Sequence, residues 1–229
     1  MTTTGSDRPA LDVTDMIAVH RVFRDTLGRA AAVIGAVGDG DIDRAATVAN
    51  FFDNILLFLH VHHQGEDDLM FPVLRQRCPD QRELIDRVAS QHGDADEKVA
   101  AAEGSLRAWS ANPGAEAKRC AAAMNALGGH LEAHFADEEH ALLPLCAQHL
   151  SAPEWGALPG HAMASFTGDK IWLILGLVAD RMTAAQRDDM FAHMPPPVVD
   201  MWTNFGRQAF AHLVAQVDPP LRVPAAELP

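Results

Sequence analysis

Tyrosine is absent from the 229 residues, so chemistry that needs a tyrosyl radical or a phenolate ligand is excluded. Cysteine is scarce: Cys78, Cys120 and Cys146 are odd in number, widely spaced and form no CxxC pair. That argues against a disulfide framework and against a thiolate zinc site, and leaves them as small buried hydrophobes. No basic block occurs, and 18 Lys and Arg stand against 31 Asp and Glu, a formal net charge of −13. Nucleic acid and anionic membrane surfaces are therefore poor partners. Apolar runs are too short to span a bilayer. The N-terminus has no basic stretch followed by an apolar one, and the expected location is cytoplasmic. Period-two alternation of β-branched residues is missing as well, so the expected class is all-α.

What the chain does have is 12 histidines and four long stretches of helical periodicity. These run from about Val13 to Val37, closed by Gly38-Asp39-Gly40; from Ile42 to Arg77, with Asp41 as N-cap; from Gln81 to Trp109; and from Ala115 to His149. Short loops between helices of this length predict an up-down-up-down four-helix bundle. After Pro153 the pattern changes. A buried helix is expected over Phe166–Met182, a second from a Thr183/Gln186 capping box to His193, and a third over Val198–Val217 after Pro195-Pro196-Pro197. The domain reading is thus 12–150 for the bundle, 151–217 for a helical extension packed on it, and 218–229 for a Pro-rich tail.

An internal repeat carries the functional signal. His62-x-x-x-Glu66 and His134-x-x-x-Glu138 each continue as an acidic residue, two variable residues, two apolar residues, Pro and an apolar residue, with Pro72 and Pro144 in register. His134 follows His62 by 72 residues, and His92 follows His20 by the same interval. Each half therefore supplies a histidine and, 42 residues later, His-x-x-x-Glu. Residues four apart share a helix face. If the halves are related by a pseudo-two-fold axis, His20, His62, Glu66, His92, His134 and Glu138 converge at mid-bundle, as inward side chains do in two-metal carboxylate sites. Taken singly, each would pass for a surface or hydrogen-bonded residue. Burying all six without a cation would leave costly unpaired polar groups. The two prolines read as matching bends below the site.

This order resembles the hemerythrin-like, or HHE cation-binding, family over about residues 12 to 150. The resemblance implies a non-haem centre of two iron ions, oxo- or hydroxo-bridged, with Glu66 and Glu138 bridging and four terminal histidines. It also implies reaction with a small oxidant: dioxygen, hydrogen peroxide or nitric oxide. Invertebrate oxygen carriers of that family use five histidines and the repeat yields four, which counts against simple reversible oxygen carriage. His130, one turn before His134, and His161, read as lying in a loop after Leu158-Pro159-Gly160, are the candidates for a further ligand. His60 and His63 are expected to be exposed or to support the ligands from outside. Asp67 and Glu139 could orient ligating imidazoles or be solvated helix charges.

Two functions follow. One is an oxidoreductase acting on peroxide, nitric oxide or dioxygen, catalase- or peroxidase-like. The alternative is an oxygen- or iron-binding or sensing module without turnover, and a lesser reading is structural zinc. The chain is expected as a monomer or homodimer, with neither nucleic acid nor membrane as a partner.

Overall fold

Local sequence sets the helix boundaries in the computed structural model, which describes residues 11–166 and 169–218. Every regular element among these residues is helical, as expected. Helix α1 spans Thr14–Gly35, and α2 spans Ile42–Gly65 with the Asp41 side chain accepting from the Arg44 amide. A π-helical turn at Glu66–Met70 leads into α3, Phe71–Arg77. A single 3-10 turn at Pro79–Gln81 precedes α4, Arg82–Ala111, and Pro113 starts α5, Pro113–Asp137, at its first turn. A second π-helical turn at Glu138–Leu142 leads into α6, Leu143–His149. No helix is long and apolar enough to cross a membrane among the described residues.

The expected unbroken helices from Ile42 to Arg77 and from Ala115 to His149 are thus each interrupted once, at matching places. Proline lacks an N–H and its ring crowds the carbonyl four residues back. Widening the turn just before Pro72 and Pro144 accommodates this, and the amides of Phe71 and Leu143 reach five residues back to Glu66 and Glu138. Such turns recur at functional sites. Here each opens on one of the two repeat glutamates.

Helix α1 packs along α5, α5 along α4, α4 along α2, and α2 along α1. Each presents a stripe spaced alternately by three and four residues. On α4 the stripe is Ile85, Val88, His92, Ala95, Val99, Ala102, Leu106 and Trp109; on α5 it is Cys120, Met124, Leu127, Leu131 and His134, continued by Glu138. On α1 it is His20, Phe23, Leu27, Ala30 and Ile34, and on α2 Val48, Phe52, Ile55, Leu59 and His62, continued by Glu66. The repeat residues therefore occupy core positions, and they split the apolar core in two. Phe23, Leu59, Leu131 and Phe135 belong to one part, and Met70, Phe71, Ile85, Val88 and Leu142 to the other. All three cysteines are buried and unpaired, and burial raises the thiol of Cys120 to about 12.

The extension differs from expectation at its start. Residues read as a break and a loop form helix α7, Ala152–Ser165. Ser151 and Glu154 make a reciprocal capping box there, and Pro153 sits where an amide has no helical partner. Helix α8, Asp169–Ala179, lies within the expected segment, and α9, Ala184–His193, opens on the expected Thr183/Gln186 box. The final segment is α10, Pro196–Met201, a π-helical turn at Trp202–Gly206, and α11, Arg207–Val217. Phe166, Trp172, Trp202 and Phe210 join the upper core. Gly176 lets Phe210 lie against α8, since a Cβ there would stand 2.4 Å from its ring. Asp218 closes the extension onto α1 through Arg29. The rest of the 218–229 tail lies outside the described residues.

Candidate metal centre

Four helices deliver the repeat residues to one buried layer. His20 comes from α1, His62 from the last turn of α2, His92 from α4 and His134 from the last turn of α5, with Glu66 and Glu138 opening the two π-helical turns. All six are at most 8% exposed. The two halves cross: Glu66 faces both His62 and His92 at 3.5 Å, while Glu138 lies 3.3 Å from His20 and 3.5 Å from His134.

His63, expected outside the site, is corrected. It is 3% exposed, its ring stacks on that of His92 at 4.1 Å, and it stands edge-on to His134. The layer therefore holds five imidazoles and two carboxylates. Their donor atoms fall into two groups, each within a span that one cation could bridge: His20, His62, Glu66 and Glu138, and His63, His92, His134 and Glu66. Glu66 belongs to both. A signal for His63 was present in the sequence, because Ala45, Ala49, Phe52, Leu56, Leu59 and His63 form a second stripe of alternating three and four on α2. The helix is apolar on most sides, since α7 and α11 cover the face turned away from the other long helices.

His130 and His161 are not brought into either group. His130 donates Nε2–H to the Gln91 carbonyl at 3.1 Å. His161 lies on α7 with its ring against Gly65. His60 is exposed.

Outer partners turn the imidazoles inward. His20 donates from Nδ1 to Glu139 at 2.8 Å, and Arg24 holds that carboxylate. His92 donates from Nδ1 to Asp67 at 3.0 Å. Asp67 and Glu139 thus both orient imidazoles rather than standing as solvated charges. His134 donates from Nδ1 to the Gln91 side chain at 2.9 Å, a partner the repeat did not reveal. In each case Nε2 is left facing the centre with its lone pair free.

The fit to a cation can be read from what is left unpaired. Nε2 of His20, His62, His63, His92 and His134, Oε2 of Glu66 and both carboxylate oxygens of Glu138 are buried with no hydrogen-bond partner. Buried polar groups are nearly always satisfied, so eight orphaned atoms in one layer point to cations. Burial, reinforced by neighbouring imidazoles, pushes His62 and His63 well below the usual histidine range and takes His134 to about 4. These rings are neutral at pH 7, as ligands must be. Burial and then the charge of Glu138 push Glu66 well above the carboxylate range. Burial acts the same way on Glu138, but His20 and the imidazoles around it hold it down to about 2.

Residues 11–152 match the family model described as the Hemerythrin HHE cation binding domain. No curated protein and no solved structure matches the chain. The matched region is well over half of the chain, which therefore belongs to the hemerythrin HHE cation-binding family.

Proposed function

We propose that this member of the family holds two iron ions and reacts with a small oxidant, hydrogen peroxide, nitric oxide or dioxygen, as an oxidoreductase. The observation that carries the reading is the layer of eight buried, unpartnered ligand atoms in two groups that share Glu66. In this reading His20 and His62, with Glu138, hold one ion; His63, His92 and His134 hold the other; and Glu66 serves both. The same reading takes α1, α2, α4 and α5 as an up-down-up-down bundle, supported by their short connections and closed ring of packing.

Two iron ions held by these residues would supply two-electron redox chemistry toward a small oxidant. The protein's own part is orientation and exclusion of water. Glu139, Asp67 and Gln91 hold three Nδ1 protons outside the layer, so that none of those rings can turn its N–H inward. Phe135 stacks on His20 at 4.2 Å, and Phe23 and Phe71 lie against His62 and His92, closing the layer above and below.

The layer is unequal. Stepping by the repeat interval from His63 reaches Phe135, so one end has an imidazole stacked on His92 where the other has a phenyl ring stacked on His20. The two groups offer four residues each but differ in kind: two imidazoles with Glu66 and Glu138 at one end, three imidazoles with Glu66 at the other.

A second reading, reversible oxygen binding or sensing without turnover, gains from His63. The argument against oxygen carriage rested on four histidines, and the layer contains five. One preparation separates the readings: metal content per chain, then the visible spectrum through anaerobic reduction and readmission of air or peroxide. About two irons and bands that bleach and return establish a redox pair. Rapid peroxide consumption in that sample supports the enzyme, reversible spectral change without consumption supports the carrier or sensor, and colourless zinc protein refutes both.

A further inference from the structure

The two halves of the repeat differ most on one side of the layer, and the difference makes a cavity. In the second half, five side chains and a backbone carbonyl form a polar network. Arg87 donates to Asp137 at 2.6 Å, Gln91 donates to Asp137 at 2.9 Å, His134 donates to the Gln91 side chain and His130 to the Gln91 carbonyl. Stepping back by the repeat interval from Arg87, Gln91, His130, His134 and Asp137 gives Asp15, Val19, Phe58, His62 and Gly65. All five of these line one cavity of about 80 Å³, which also reaches Glu66. At three of the five positions polar residues of one half are thus replaced in the other by Val19, Phe58 and Gly65, around a space that ends at His62 and Glu66, while Asp15 is turned to the Trp155 indole.

The outer wall of that space is α7, which lies almost wholly beyond the matched family region. Trp155, Leu158, Pro159 and Ala162 face the cavity from it. The helix is pinned at its start, where Glu154 accepts two hydrogen bonds from Arg77 and the Trp155 indole donates to Asp15 at 3.1 Å. It closes on α2 at Gly65, where a Cβ would stand 3.3 Å from the His161 ring and 3.7 Å from Leu158. No lysine or arginine lines the cavity, and its one carboxylate besides Glu66 is Asp15. The volume is that of two or three water molecules, about 30 Å³ each.

We propose that this cavity is the entry port to the centre, that it admits small uncharged molecules to the two-histidine end, and that Val19 of α1 and Ala162 of α7, both in its lining, set its size. The inference rests on the two-iron reading above and adds the route and the selecting residues.

Two readouts test it on the full chain. In crystals of zinc-loaded protein under xenon, a neutral probe of small apolar cavities, a xenon atom is expected between Val19 and Ala162 in the wild type and not in Ala162→Phe. In stopped flow, nitric oxide binding to the reduced, iron-loaded chain is expected to slow at least tenfold in Ala162→Phe. Val19→Gln, which installs the residue of the other half, should slow it as well, with iron content and resting spectrum unchanged in both. Wild-type rates in both variants, or xenon found only elsewhere, overturn the port while leaving the metal centre standing. A wild-type chain that binds no iron overturns both.

Discussion

Stripping the metal from the centre should cost the fold several kilocalories per mole. Eight buried ligand atoms lack hydrogen-bond partners, and each such atom costs about 1–3 kcal/mol when left unsatisfied. Taken at face value the total, about 8–24 kcal/mol, would match or exceed the whole stability of a typical domain, about 5–15 kcal/mol. The metal-free chain must therefore relieve most of it, by admitting water, turning rings and protonating Glu66. If three quarters is recovered in this way, about 2–6 kcal/mol remains. For a chain of this length that lowers Tm by roughly 5–20 °C. The assay is scanning calorimetry on chelator-stripped protein, with depletion verified by elemental analysis, against the same protein reloaded anaerobically with ferrous iron or with zinc. A stripped protein that melts within a degree of the reloaded one would refute the reasoning, because the orphaned atoms would then be satisfied without any cation.

The same electrostatics give the pH dependence of loading a definite sign. In the metal-free chain Glu66 is pushed well above the carboxylate range by burial and by Glu138, and must lose its proton to ligate. His62, His63 and His134 are already neutral. His20 is raised instead, its burial outweighed by Glu138 and Glu139. Metal uptake should therefore release at least one proton per chain near neutrality, with His20 adding to the proton of Glu66, and affinity should rise with pH until both groups lose their protons in the metal-free chain. A zinc titration in weak buffer with a pH indicator counts the protons, and zero release would contradict the assignment of Glu66.

Four substitutions give further tests. Glu66→Ala and Glu138→Ala should each lower bound iron well below the wild-type content, and two irons retained in either variant would remove that glutamate from the ligand set. His63→Ala should lose metal from the three-histidine group and change the near-ultraviolet spectrum, whereas an unchanged stoichiometry and spectrum would leave His63 as a core ring stacked on His92. Asp180 lies away from the centre, and burial raises its carboxyl to about 6 against the opposing pull of Arg181 and Arg187. An acid whose folded pKa lies above its unfolded value of about 3.9 destabilises the fold as pH rises through that window. Asp180→Asn should therefore stabilise the protein by about 1–2 kcal/mol at pH 7, after allowing for solvent screening, and by nothing near pH 3.5. Equal effects at both pH values in denaturant melts would rule out the linkage.

How much of this was legible in the sequence depended on symmetry. His20, His62, Glu66, His92, His134 and Glu138 could be read because the interval of 72 residues repeats them, whereas Pro72 and Pro144 read only as matching bends and did not reveal the π-helical turns just before them. His63 could not be found by that route, since its counterpart is Phe135. It was legible only as one more core position on a helix that is apolar on most sides. Helix α7 was hidden for another reason. Its prolines and glycines suggested a loop, yet Pro153 falls in the first turn, and the Ser151–Glu154 box, the Arg77 contact and the Trp155 anchor hold the helix despite Pro159.

What escaped the repeat is also where the chain departs from being two copies of one ligand-bearing hairpin. Exact symmetry would have given both ends of the layer the same number of imidazoles and the same outer network, and both ends would have been equally closed. The substitutions that break it act together on one end. Phe135 takes the place of a sixth imidazole, Val19 of the glutamine that holds His134, Phe58 of His130, and Gly65 of the aspartate that ties down Arg87 and Gln91. Gly65 also makes the room that α7 needs to come down beside Glu66. What the halves share supplies six of the seven ligand residues, and His63 is the seventh. Four of the residues by which the ends differ, Asp15, Val19, Phe58 and Gly65, line a cavity that reaches His62 and Glu66.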